Sequence, residues 1–157
     1  MPFRICKSLE IESGHMLSKH PGNCKFPHGH TRKVEFVLET EALDQNDMVC
    51  DFEIVKEVVK DFVQSLDHAL CMNTQDPRYQ EMKNAYGNRV IGFDGIDPTT
   101  EIMAKSIHDA VKANLSAYLS EANPKSPLSP HVRIAKVRLW ETSTSWAEYS
   151  ERAHPDS

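Results

Sequence analysis

A chain of 157 residues with a formal net charge of -5 is long enough for one domain with a real core and has no general basic footprint for nucleic acid. No apolar run approaches the ~20 residues a membrane-spanning helix needs, and the Met1–Lys7 stretch lacks the apolar segment of a secretory signal. The four cysteines, Cys6, Cys24, Cys50 and Cys71, show no disulfide-framework spacing, so free thiols in a reducing cytoplasm are expected.

Phe3, Ile5, Leu9 and Ile11 alternate loosely and predict a strand over residues 3–15, ending in Ser13-Gly14-His15. Residues 16–23 contain Pro21-Gly22 and read as a loop with Cys24 at its end. The stretch Cys24-Lys25-Phe26-Pro27-His28-Gly29-His30 packs a thiol and two imidazoles close together. His28 and His30 are two residues apart, so in a strand their side chains leave the same face. Two such imidazoles begin a metal site and suit zinc, which in catalytic sites takes three protein ligands and keeps one position open. His15, where strand gives way to loop, is the expected third ligand, and His20, beside Pro21, is its rival. The chain has eight histidines, so coincidence is one competing reading. A closed zinc site of Cys24 with His15, His28 and His30, without catalysis, is another.

From His28 the chain continues as a half-buried strand to Glu39, in which Val34, Phe36 and Leu38 alternate with charged residues and Val37 breaks the pattern. The same parity places His28 and His30 at one end of the core-facing side. Asp51 can cap a helix whose apolar face is Ile54, Val55, Val58, Val59, Phe62, Val63 and Leu66. Asp67-His68 at its end is either a capping charge beside a solvated ring or a paired acid and base. Residues 72–89 read as polar and irregular, and Val90–Phe93 as a short strand. Asp97-Pro98-Thr99-Thr100-Glu101 starts a second helix with Ile102, Met103, Ile107, Ala110, Val111 and Leu115 on its apolar face. Residues 121–130 read as a loop. Val132, Ile134, Val137 and Leu139 predict a strand with a phase break near Ala135-Lys136, leading to Trp140-Glu141-Thr142. Glu141 is there either a ligand-facing carboxylate or an exposed strand-end acid.

Taken in order, Gly14-His15, Cys24-x-x-x-His28-Gly29-His30, Cys50-Asp51-Phe52, Leu66-Asp67-His68, Pro98-Thr99-Thr100-Glu101 and Trp140-Glu141-Thr142 resemble the 6-pyruvoyl-tetrahydropterin synthase superfamily. The three-residue gap between Cys24 and His28 is most similar to its bacterial 6-carboxy-5,6,7,8-tetrahydropterin synthase branch. The resemblance implies an α+β tunnelling fold in a single domain over 1–157. Such a fold has a four-stranded antiparallel sheet with two helices on one face, and its sheets join into an oligomeric barrel, commonly a homohexamer of two trimers with active sites at subunit interfaces.

It further implies that His15, His28 and His30 hold Zn2+, and that Cys24, Asp67 and His68 form the catalytic set. Glu141 would anchor the pterin ring, with Thr99 and Thr100 flanking the pocket. The implied substrate is 7,8-dihydroneopterin triphosphate, from which the carboxy branch releases acetaldehyde and triphosphate on the route to queuosine and related deazapurines. The pyruvoyl branch eliminates triphosphate and keeps the side chain. Thr31-Arg32, where the family often has Asn-Tyr, and Ile102, where it often has Asn, depart from the pattern. Lys19, Lys25, Arg32 and Lys33 are the cations nearest the motif for a triphosphate. Outside this class stand a structural or storage zinc-binding module and a pterin-binding protein without catalysis.

Overall fold

The computed structural model describes residues 1–121 and 126–151. Strand β1 (Phe3–Met16) runs antiparallel to β2 (His28–Thr40), from Phe3 opposite Thr40 to His15 opposite His28. Residues directly opposite one another share a face of the sheet, so odd positions of β1 stand beside even positions of β2. Midway along the pair these are apolar, Leu9 facing Val34. Toward the other end they become polar: Ile11 faces Arg32, Ser13 faces His30 and His15 faces His28. A single strand pair thus carries part of the hydrophobic core and, continuous with it, a polar cluster.

Helix α1 (Phe52–Leu66) starts at Asp51, whose carboxylate accepts the Glu53 N–H at 2.9 Å. It buries Ile54, Val55, Val58, Val59, Val63 and Leu66, the stripe expected from the sequence except that Phe62 is only partly covered. Strand β3 (Ala69–Asn73) then lies parallel to β1, and β4 (Val90–Phe93) lies parallel to β3, with helix α2 (Tyr79–Tyr86) between them. The short strand expected at Val90–Phe93 is therefore present. Residues 72–89, expected to be irregular, contain the end of β3 and all of α2. That helix has no buried residue, and only Tyr79 and Met82 lean on Met16, Met72 and Val90. Two contacts over two turns leave little periodicity for a sequence to reveal. Cys71 belongs to the main core and its neighbour Met72 to this smaller cluster, so α2 covers the reverse face of the sheet.

Helix α3 (Thr100–Leu119) is capped by the Thr99 hydroxyl, which accepts the Ile102 N–H at 3.2 Å. Met103, Ala104, Ile107, Val111 and Leu115 join the main core with α1, and the Asn114 amide donates to the Val58 carbonyl at 2.8 Å. Strand β5 (Arg133–Thr142) pairs antiparallel with β2 and with β6 (Ser145–Tyr149). Lys136 pairs with Val37 and Ile134 with Leu38, leaving Ala135 as the extra residue of a bulge. The bulge reverses the parity, which is how Ile134 and Val137 both reach the core.

The sheet order is β4-β3-β1-β2-β5-β6, six strands rather than the four expected. Its β1-β2-β5-β6 part is the antiparallel sheet of the expectation, with α1 and α3 on one face; β3, β4 and α2 extend it in parallel. Of the loop expected over 121–130, residues 122–125 lie outside the described residues, and 126–130 contain no helix or strand. Among the described residues no helix is long and apolar enough to cross a membrane.

Candidate functional site

The β1–β2 register brings His15, His28 and His30 together, one ring nitrogen from each lying within 4.8 Å of the others. Ring centroids are 4.5 Å apart for His15 and His28 and 5.2 Å for each of the other pairs. His15 Nδ1 lies 2.8 Å from the Pro98 carbonyl, and His28 Nδ1 lies 2.8 Å from the Phe26 carbonyl. A carbonyl can only accept, so both Nδ1 atoms carry the proton and both Nε2 atoms present a lone pair. His15 Nδ1 therefore cannot also accept from Arg32 Nη2, 3.3 Å away, and that approach is a contact rather than a hydrogen bond.

Among the described residues His15 Nε2 and His30 Nε2 are buried and have no hydrogen-bond partner. Orphaned buried polar atoms are costly unless a ligand satisfies them. Burial pushes the His15 imidazole down to about 4, with Arg32, His28 and His30 acting in the same direction and the Pro98 hydrogen bond opposing them. Burial likewise lowers His30, reinforced by Arg32 and opposed by Glu141. Both rings are neutral near neutral pH, which is the ligating form. The residues present fit a divalent metal ion.

Cys24 lies in the short 3-10 turn Asn23–Lys25, half-buried, and does not belong to the three-histidine group. The closed four-ligand arrangement is thus not assembled. His20, the rival ligand, is exposed, and its Nδ1 accepts the Gly22 N–H at 2.9 Å. The loop carrying Cys24 is closed by the Leu17 N–H donating to the Cys24 carbonyl at 3.0 Å. Its start is anchored by Asp97, which accepts from the Ser18 hydroxyl at 2.6 Å, the Lys19 N–H at 2.8 Å and the Asn73 amide at 3.0 Å. Burial disfavours the Asp97 charge, but those hydrogen bonds outweigh it and hold the carboxyl below its ordinary range.

At the end of β5, Glu141 Oε1 sits 3.5 Å from His30 Nε2 and 3.8 Å from His15 Nε2, and accepts the Thr100 hydroxyl at 3.2 Å. Thr100 is buried at this edge, whereas the Thr99 hydroxyl is used to cap α3. Arg32 is not a surface cation: it is 0% exposed, behind the histidines. Its even-numbered position on β2, shared with His28, His30 and Val34, was the signal for that burial. Lys33 lies on the opposite face, paired with Glu35 at 3.2 Å. The roles of Asp97 and the Pro98 carbonyl left no trace in the sequence pattern.

Asp67 and His68 meet each other, not Cys24. Asp67 Oδ1 accepts the Glu12 N–H at 2.8 Å, and Oδ2 lies 2.9 Å from His68 Nδ1. The Glu12 hydrogen bond, followed by that to His68, holds the Asp67 carboxyl below its usual range. His68 has φ +58, a left-handed backbone uncommon for a residue with a side chain. Its ring lines a cavity of about 510 Å³ with Glu12, Thr31, Leu70, Tyr86 and Arg89. His68 is bonded to Glu12 and Cys24 to Leu17, five residues further on, which is roughly 17 Å of extended chain. One chain therefore keeps the thiol and the Asp67–His68 pair apart.

Over residues 4–152 the sequence matches the family model described as 6-pyruvoyl tetrahydropterin synthase. The chain belongs to that family. A 6-carboxy-5,6,7,8-tetrahydropterin synthase from Aquifex aeolicus is 32% identical, over 96% of this chain and 99% of the relative. Among solved structures, an uncharacterized protein from Wolinella succinogenes shares the fold at a TM-score of 0.76 and 19% identity, covering 97% of this chain and 99% of its own. Plasmodium falciparum 6-pyruvoyl tetrahydropterin synthase does so at 0.68 and 15%, with coverage of 97% and 99%. In this 6-pyruvoyl tetrahydropterin synthase family member the histidine cluster is the strongest candidate for a metal centre.

Metal-free protein should reveal the buried neutral ring in its pH dependence. His15 titrates near 4 when folded and near 6.5 when unfolded, so between those values the unfolded state binds more protons. Stability is fully present above pH 6.5 and falls as pH drops toward about 4, by up to about 3 kcal/mol. Urea titrations of chelator-treated protein from pH 7 to 4 measure this; a flat profile would show that His15 is not buried in neutral form.

Proposed function

We propose that this protein is a zinc-dependent 6-carboxy-5,6,7,8-tetrahydropterin synthase, converting 7,8-dihydroneopterin triphosphate to the 6-carboxy product with release of acetaldehyde and triphosphate. One observation carries the reading: a ring nitrogen from each of three histidines, two of them buried without a hydrogen-bond partner, gathers beside a carboxylate, Glu141, at the end of a strand. The 32% identity to the Aquifex aeolicus relative supports the carboxy branch.

His15, His28 and His30 hold the ion in this reading, and His15 and His28 are oriented by the Pro98 and Phe26 carbonyls. The bound zinc supplies Lewis-acid polarisation of the substrate's side-chain hydroxyls. Cys24 takes the substrate proton beside this cluster. Asp67 fixes the ring orientation of His68, which relays a proton from the other side. Glu141 receives the pterin ring N–H and exocyclic amine side by side, as a carboxylate can. Because Cys24 and His68 are separated within one chain, His68 is supplied by a neighbouring copy. Strands β4 and β6, the outer strands of the sheet, offer edges along which copies join. A cytoplasmic homohexamer of two trimers is the assembly proposed.

The test incubates zinc-loaded protein with dihydroneopterin triphosphate and identifies the products by mass spectrometry. Acetaldehyde with a 6-carboxypterin is expected. Triphosphate release with the side chain retained would move the protein to the pyruvoyl branch, and no product would leave a binding protein.

A further inference from the structure

Arg32 has no part in the chemistry above, yet it is one of the largest fully buried side chains in the protein. Its hydrogen-bonding partner, the Thr100 hydroxyl, is neutral, and among the described residues its Nε has no partner. A buried guanidinium without direct carboxylate pairing is strongly unfavourable. It persists where its charge acts on something.

The geometry says on what. A guanidinium only donates, so Thr100 Oγ1 accepts from Arg32 Nη1 at 3.2 Å. The single hydroxyl proton of Thr100 is then directed to Glu141 Oε1, also at 3.2 Å. The chain Nη1–H to Oγ1–H to Oε1 can run in only one direction. It ends on the carboxylate that stands 3.5 Å from His30 Nε2. We propose that Arg32 is a positioning residue for pterin recognition, acting through Thr100 to hold the Glu141 carboxylate in one orientation beside the histidine cluster. The inference rests on the reading of Glu141 as the pterin anchor.

The test measures binding as well as turnover. Neopterin, which lacks the triphosphate, is titrated by fluorescence onto metal-loaded wild-type protein and the variants, with metal counted on the same samples. Arg32→Met and Thr100→Val should each weaken neopterin about 10- to 100-fold, the loss that goes with a hydrogen bond to a charged group. Thr100→Ser should restore binding. The double variant should be no weaker than either single one, because both break the same chain. Arg32→Lys keeps the charge without the planar fork and should fall between wild type and Arg32→Met. KM for the triphosphate substrate should rise by a similar factor with kcat less affected, and metal content should stay the same.

Wild-type affinity in Arg32→Met, additive losses in the double variant, or loss of metal in place of neopterin would each overturn the proposal. If Arg32→Met does not fold, the Thr100→Val and Thr100→Ser pair decides. Wild-type protein that binds no neopterin removes the pterin reading itself, a result separate from any ratio between variants.

Discussion

Cys24→Ala is expected to keep about one metal ion per chain and to lose turnover by about 10²- to 10⁴-fold, the range general acid–base groups contribute. The sulfur stands outside the three-histidine group, so metal retention follows from geometry. The residue is only half-buried, in a short turn whose closing bond is between backbone atoms, the Leu17 N–H and the Cys24 carbonyl. Alanine preserves that bond, and the thermal midpoint should hardly move. Metal analysis after gel filtration, combined with initial rates, separates the outcomes. Loss of metal along with activity would mean that the thiol is a ligand, and the site a closed structural one.

His15→Ala should have the opposite signature. Metal binding should fall by far more than the 10- to 100-fold cost of losing an outer-shell partner, and activity should go with it. His15 is 0% exposed and opposite His28 in the strand register, and alanine there removes one of the three clustered ring nitrogens. His20→Ala is the matched control: that exposed ring is engaged with Gly22, and its removal should leave the metal content unchanged. In metal-free His15→Ala protein the loss of stability between pH 6.5 and 4 should shrink, because one of the two imidazoles lowered by burial is gone while His30 remains. Chelation of the wild type should leave the far-ultraviolet circular dichroism nearly intact. The core of Phe36, Leu38, Ile54, Met103, Ile107 and Leu139 is packed without the histidines. Unfolding on chelation would favour the structural zinc module.

Much of this was readable beforehand, for reasons that differ by element. The β1 and β2 strands, the α1 and α3 stripes and the bulge near Ala135 all rest on local periodicity, and the local chain settled each of them. Helix α2 was missed because it buries nothing and leans on the sheet through only Tyr79 and Met82. The parallel strand β3 was hidden because five residues after a helix carry too little pattern to announce a partner. His28 and His30 are paired by spacing alone, while it takes the register to set His15 opposite His28. Arg32, a candidate triphosphate cation by its nearness to the motif, shares the parity of His28 and His30 and is buried.

By itself, then, the sequence determined which residue types were available for chemistry and which faces of the long elements were apolar, since both follow from composition and period. Tertiary structure alone decided that the Pro98 carbonyl sets the tautomer of His15, that Arg32 reaches Glu141 through Thr100, and that Cys24 and His68 lie apart in one chain. Each of those depends on contacts between segments distant in sequence. Such contacts depend on how strands and helices pack against one another, and the local pattern of one segment does not name its partner.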